Sequence, residues 1–187
     1  YRRRIRDARR YTSGVEVMTR RAVSVATFIA CVVLANYLTA TFGLIPVGFG
    51  LMATAGTYAA GLTFVFRDLI HESGGRWLAV GAIAAGAALS WFVASPALAV
   101  ASGVTFLVAE LADLAVYVPL RKRGLLTAVL VSNVVGFTLD TFLFLYLAGF
   151  PITGPVVAGQ LLAKATMTAL GLAVLWLLGK RQAVGVA

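Results

Sequence analysis

The chain has 187 residues, 60% of them hydrophobic and 12% charged, against about 25% charged in a typical soluble domain. A mean hydropathy of +0.92 excludes a disordered polar chain and argues against a water-soluble globule. The formal net charge is nevertheless +9, from 16 Lys+Arg against 7 Asp+Glu. That leaves a nucleic-acid binder or a membrane protein whose positive charges collect on one side, and the placement of the charges decides between them.

Residues 1–21 carry eight arginines (Arg2, Arg3, Arg4, Arg6, Arg9, Arg10, Arg20, Arg21) against Asp7 and Glu16. We read this segment as a basic cytoplasmic tail held against anionic headgroups rather than a nucleic-acid arm. Ser13 and Gly14 predict a break before the first span. The chain opens on Tyr1 rather than Met, so a native start further upstream is expected.

A helix needs about 20 apolar residues to cross a bilayer. Six such stretches follow, over about 22–42, 47–66, 77–94, 97–120, 125–148 and 155–179. Their continuous Ala- and Leu-rich runs read as helices, and the first is too long and too early in a series to be a cleaved signal. The expected fold is an all-α six-helix membrane bundle over residues 22–180, with a C-terminal tail over 181–187. The linkers alternate. Gly43–Pro46, Ser95–Pro96 and Gly149–Gly154 are uncharged. The others hold Arg67, Asp68, His71, Glu72 and Arg76, then Arg121, Lys122 and Arg123, then Lys180 and Arg181. This positive-inside pattern predicts cytoplasmic N- and C-termini. Cys31, the only cysteine, leaves no intrachain disulfide and no CxxC site. Small residues in the third span (Gly81, Ala82, Ala85, Gly86, Ser90) suit close helix packing.

Four ionisable residues remain inside the spans: Glu110, Asp113, Asp140 and Lys164. Each costs about 2.5–3.5 kcal/mol at a helix centre on insertion scales. At 100° per residue, Ser102, Phe106, Glu110, Asp113 and Tyr117 share one stripe of the fourth span. Asn133, Gly136, Asp140 and Phe144 share one on the fifth, and Gln160, Lys164, Met167 and Gly171 one on the sixth. Lipid cannot satisfy such faces, so they are expected to meet each other or one shared cavity. Asn36 of the first span is expected to reach that cavity from the other side. Glu110 and Asp113 lie one turn apart, so at least one is expected to be protonated when the site is empty, unless Lys164 or another cation is close. Asp68 and Glu72, spaced i, i+4, and Arg121 are candidate inner-gate residues, Arg121 as a partner for Asp113 or Glu72.

Four motifs, FRDLIHESGG (Phe66–Gly75), TFLVAELADLAVYVPLR (Thr105–Arg121), SNVVGFTLDTFLF (Ser132–Phe144) and GQLLAKATMT (Gly159–Thr168), resemble the vitamin uptake transporter (VUT) family, which includes bacterial queuosine-precursor transporters. The resemblance spans about residues 25–180. It implies uptake of 7-cyano- or 7-aminomethyl-7-deazaguanine across the inner membrane, with Asp68, Glu72, Glu110, Asp113, Tyr117, Arg121, Asn133, Asp140, Gln160 and Lys164 as the matching positions. The residues suit such a base. Its N1–H and exocyclic amine fit one carboxylate, Glu110 or Asp140. Its O6 fits the Asn133 or Gln160 amide or the Lys164 ammonium, and its flat ring fits a platform such as Phe106, Tyr117 or Phe144.

The expected partners are a small molecule, membrane lipid and, still open, a coupling proton or sodium ion and a second copy of the chain. No nucleic acid, catalytic residue, metal or cofactor is expected. The family also looks like the substrate-binding subunits of energy-coupling-factor vitamin transporters. That alternative needs an ATPase from another chain, because no Walker A motif occurs here. A Ser–His intramembrane protease is disfavoured, because His71 falls in a linker and no nucleophile turn is present.

Overall fold

The computed structural model describes residues 2–120 and 122–184, with side chains described over 17–177 apart from 121, 125, 126 and 128–130. It is a helical bundle carrying one short β-hairpin: α1 (Arg2–Phe42), β1 (Leu44–Gly48), β2 (Leu51–Thr54), α2 (Thr57–Val93), α3 (Pro96–Leu120), α4 (Leu125–Leu147) and α5 (Gly154–Val184). Among the described residues, four helical segments are long and apolar enough to cross a membrane: Val17–Phe42, Thr57–Val93, Pro96–Leu120 and Gly154–Leu177. A shorter apolar stretch covers Val131–Leu147.

Three expectations need correction. The first helix is continuous from Arg2 to Phe42, so Ser13 and Gly14 do not interrupt it. A single serine and glycine cost only about 1 kcal/mol in a helix this long. Second, the stretch 47–66 is not one helix. Its first half pairs as an antiparallel hairpin, with Leu44 opposite Thr54, Ile45 opposite Ala53 and Pro46 opposite Met52. The signals were present in Pro46, β-branched Ile45 and Val47, and the Gly48–Phe49–Gly50 turn, whose three residues all have positive φ. The apolar run masked them. Third, Arg67, Asp68, His71 and Glu72 lie within α2, not in a linker.

The second helix holds one non-helical residue, Gly75, at φ 75° and ψ 176°, a region open essentially to glycine alone. The chain reverses there. Before it, the close approach of Gly56 to Ala35 and Thr39, and of Gly74 to Arg21, makes the arm 57–74 run antiparallel to α1. After it, Gly86 against Val32 and Ser90 against Asn36 make the arm 76–93 run parallel to α1. Each arm is about 27 Å long at 1.5 Å per residue.

The remaining helices alternate in direction. Phe28 meets Phe106 and Asn36 meets Ser102, so α3 opposes α1. Asp140 meets Lys164 between α4 and α5. Gln160 meets Thr57 while Gly171 meets Val65, so α5 runs parallel to the first arm of α2. The core joins Phe28, Val32, Ile70, Ala79, Ala82, Ile83 and Phe106. Of the small residues in the second arm, Ala82, Gly86 and Ser90 are buried, whereas Gly81 is exposed. The hairpin packs on α5, where a Cβ at Gly159 would collide with the Met52 backbone. Ala53 and Thr54 are buried.

Candidate functional site

The three polar stripes do not converge on one cavity. They line two chambers, one toward the hairpin end of the bundle and one toward the end where α2 reverses at Gly75.

The hairpin-side cavity is lined by Asn36, Thr54, Thr57, Ser102, Phe106, Asp140, Phe144, Gln160 and Lys164, among others. Lys164 donates to Asp140 and, at 2.9 Å, to Thr141 Oγ1. Both ions are almost wholly buried, at 2% and 4% exposure. The Gln160 side chain donates to Thr54 Oγ1 at 3.1 Å and accepts from Thr57 Oγ1. Asn36 Nδ2 donates to Ser90 Oγ at 3.0 Å and Ser102 Oγ at 2.8 Å, tying α1 to the second arm of α2 and to α3. The free space is about 30 Å³, room for one or two waters. Asn36, expected to reach the cavity from the first span, does so.

The second chamber is larger, about 480 Å³, and is lined by Arg67, Asp68, His71, Glu72, Glu110, Asp113, Leu114, Tyr117, Ser132 and Asn133. Arg67 bridges Asp68 at 2.8 Å and Glu110 at 3.2 Å. His71 Nε2 lies 2.5 Å from the other Glu110 oxygen, Oε1, in ion-pair contact but without hydrogen-bond alignment. Asp113 Oδ1 is buried with no hydrogen-bond partner among the described residues. Gly136 faces Asp113, with space for a Cβ at ordinary contact distance.

Between the chambers stands a layer of four rings, one from each of four helices. Phe28 and Phe106 lie 6.1 Å apart, Phe106 and Phe64 6.4 Å, and Phe64 and Phe137 4.5 Å edge-on. Helical rise places the layer. Glu110 is one turn beyond Phe106, Arg67 one turn beyond Phe64, and Asn133 and Asp140 lie about a turn either side of Phe137. The Arg67 guanidinium carbon sits 5.3 Å from the Phe64 ring centre, a cation–π contact that ties the charged chamber to the aromatic layer.

The expected site residues therefore divide. Phe106, Asp140, Gln160 and Lys164 face the hairpin-side cavity. Glu110, Asp113, Tyr117 and Asn133 face the other chamber, alongside Asp68 and Glu72. Arg121 lies outside the described residues. The cation beside Glu110 and Asp113 is Arg67, whereas Lys164 is engaged by Asp140. Arg67 and His71 were passed over as linker charges. A sign of their role was the helical spacing of Arg67 and His71, i and i+4, which puts both on the face that Phe64 begins. Phe64 and Phe137 carry no polar group, and Thr54 and Thr57 carry no charge and stand singly in an apolar run, so none of the four stands out in the sequence. The His71 ring meets Glu110 rather than a serine. Among the described residues no group of three or more His, Cys, Asp or Glu side chains is arranged to hold a metal ion.

A helical bundle of apolar, membrane-length helices around interior polar chambers is the build of a membrane protein. Residues 89–178 match the family described as "Putative vitamin uptake transporter", which supports a membrane transporter. The match covers just under half of the chain. It takes in all of α3 and α4 and most of α5, and with them Glu110, Asp113, Asp140, Gln160 and Lys164. No curated protein and no solved structure matches the chain significantly.

Proposed function

We propose that the chain imports a 7-deazaguanine base (7-cyano- or 7-aminomethyl-7-deazaguanine) or a related purine-like base across the bacterial inner membrane. The two arms of α2 count as separate crossings, giving six in all. Both termini then lie on the side rich in arginine and lysine, which the positive-inside rule makes cytoplasmic.

The observation that carries this reading is the hairpin-side cavity. It concentrates a buried carboxylate, an ammonium, two carboxamides, three threonine hydroxyls and a serine hydroxyl beside Phe106 and Phe144. A guanine-like edge presents two adjacent donors that a carboxylate accepts in a fork, and Asp140 is the carboxylate in this cavity. Gln160 and Lys164 supply donors for O6, and the phenyl rings supply a stacking face. The present free space holds no base, so binding requires the cavity to widen. Movement of α4 and α5 at the Asp140–Lys164 contact would supply that space. The aromatic layer closes the path to the larger chamber, as an alternating-access carrier requires between its two sides.

Uptake of radiolabelled 7-cyano-7-deazaguanine by cells expressing the wild-type chain, Asp140→Asn or Glu110→Gln tests the reading. Wild-type uptake should be saturable, and Asp140→Asn should abolish it at equal expression. Normal uptake by Asp140→Asn would remove Asp140 from the binding site, and no uptake by wild type would remove the substrate. Uptake seen only with a co-expressed ATPase would instead favour the binding-subunit architecture.

A further inference from the structure

The larger chamber contains a group that substrate binding in the hairpin-side cavity does not use. Glu110 is 3% exposed and is held between the Arg67 guanidinium at 3.2 Å and the His71 imidazole at 2.5 Å, each on a different carboxylate oxygen. His71 is the only histidine in the chain, and its side chain is 24% exposed against 4% for Glu110. It therefore stands between chamber water and a buried carboxylate. At 2.5 Å, the His71 imidazole is the chamber-facing group in direct contact with that carboxylate.

We propose that Glu110 and His71 form a proton-binding site that couples import to proton movement. This rests on the transport reading above. A hydronium in the chamber gives its proton to His71 Nδ1 and leaves as water, and the Nε2 proton passes to Glu110 Oε1. The Nε2–H bond breaks, the O–H bond forms, and the imidazole is left neutral with its proton on Nδ1. Neutral Glu110 no longer holds Arg67, whose guanidinium keeps Asp68 as its counterion at 2.8 Å. Arg67 then leaves the Phe64 face, and the aromatic layer loses the cation that braces it. Proton release restores the Glu110–Arg67 pair and the brace. Among the described residues, the other titratable or charged groups lining the chamber are Arg67, Asp68 and Glu72 from α2 and Asp113 and Tyr117 from α3, and α4 adds the uncharged Ser132 and Asn133. Asp113, with a buried oxygen lacking a hydrogen-bond partner, is a competing acceptor in the same chamber.

Purified protein in liposomes separates this from the substrate reading. Two assays use labelled 7-cyano-7-deazaguanine: counterflow exchange at equal pH on both sides, and accumulation driven by an imposed pH gradient. Wild type should do both. His71→Gln should keep exchange and lose gradient-driven accumulation, falling to simple equilibration. Accumulation that ignores the gradient in wild type, or survives in His71→Gln, overturns the proposal while exchange upholds the substrate. Because His71 is the only histidine, ¹⁵N-histidine labelling gives a single ring to follow by NMR without any substrate. Its signal should change with pH and differ between wild type and Glu110→Gln. A signal insensitive to both overturns the proton site even where no substrate moves. A responsive signal without counterflow by wild type retains the site and removes the substrate.

Discussion

Lys164 and Asp140 form an ion pair across the α4–α5 interface with almost no exposure on either side chain. Taking two charges out of water costs several kcal/mol per ion, and each is tolerable only because the other is present. The pair is both a structural commitment and the polar centre of the hairpin-side cavity.

Removing one member should therefore cost more than removing both. Asp140→Asn and Lys164→Met should each lower unfolding stability by about 3–5 kcal/mol. The double variant should recover most of that loss while remaining inactive in uptake. Thermal unfolding in detergent, run beside the uptake assay, checks both halves. Additive losses in the double variant would show that the two side chains do not act as a pair.

The ring of Phe64 touches both Phe106 and Phe137 and lies under Arg67. Phe64→Ala should open the layer. In a Cys31→Ser background, Ser102→Cys in the hairpin-side cavity should resist a charged maleimide applied from the arginine-rich face. Asn133→Cys, in the larger chamber, should react. Adding Phe64→Ala should bring the Ser102→Cys rate toward that of Asn133→Cys. An unchanged rate would mean that Phe64 does not separate the chambers.

Gly75 has no neighbour near the position of a Cβ, so any penalty for a side chain there is conformational. Gly75→Ala should cost about 1–3 kcal/mol through its backbone angles alone. Gly159→Ala differs in kind, because its Cβ would overlap the Met52 backbone and push the hairpin off α5. Proteolysis near Gly50 should then rise in Gly159→Ala but not in Gly75→Ala. Equal cleavage in the two variants would count against the close packing of hairpin and α5.

Asn36 ties three elements through one amide. Interhelical hydrogen bonds in membranes average about 0.6 kcal/mol and reach about 1.7, so Asn36→Leu should lower stability by roughly 1 kcal/mol. The same substitution takes a polar group from the cavity lining and should weaken base binding. Titration of the purified variant with labelled base, beside its melting curve, distinguishes the two effects.

Much of this architecture is legible in the sequence because membrane physics is one-dimensional. Helix length against bilayer thickness marks the spans, and the cost of charge in lipid marks Glu110, Asp113, Asp140 and Lys164 as interior groups before any coordinates are known. Helical periodicity places Phe106 with Glu110, and Gln160 with Lys164, on common faces, and the structure keeps those pairs together on their helices. Periodicity fixes which side of a helix is polar. It does not fix the depth at which two polar sides meet, and so one expected cavity becomes two. The hairpin at 44–54 escaped because apolar residues satisfy a buried strand as readily as a helix. Only the neighbouring helix, with glycine at 159, makes the close approach of that backbone available.

What the sequence determined by itself was the class of molecule, the alternation of basic and uncharged stretches, and the list of interior polar residues, because each depends on composition along the chain. What the tertiary structure decided was pairing: Arg67 and His71 to Glu110, Lys164 to Asp140, and four phenylalanines from four helices into one layer. The energy of a buried charge depends on what stands a few ångströms away across a helix interface, and that distance is set by packing.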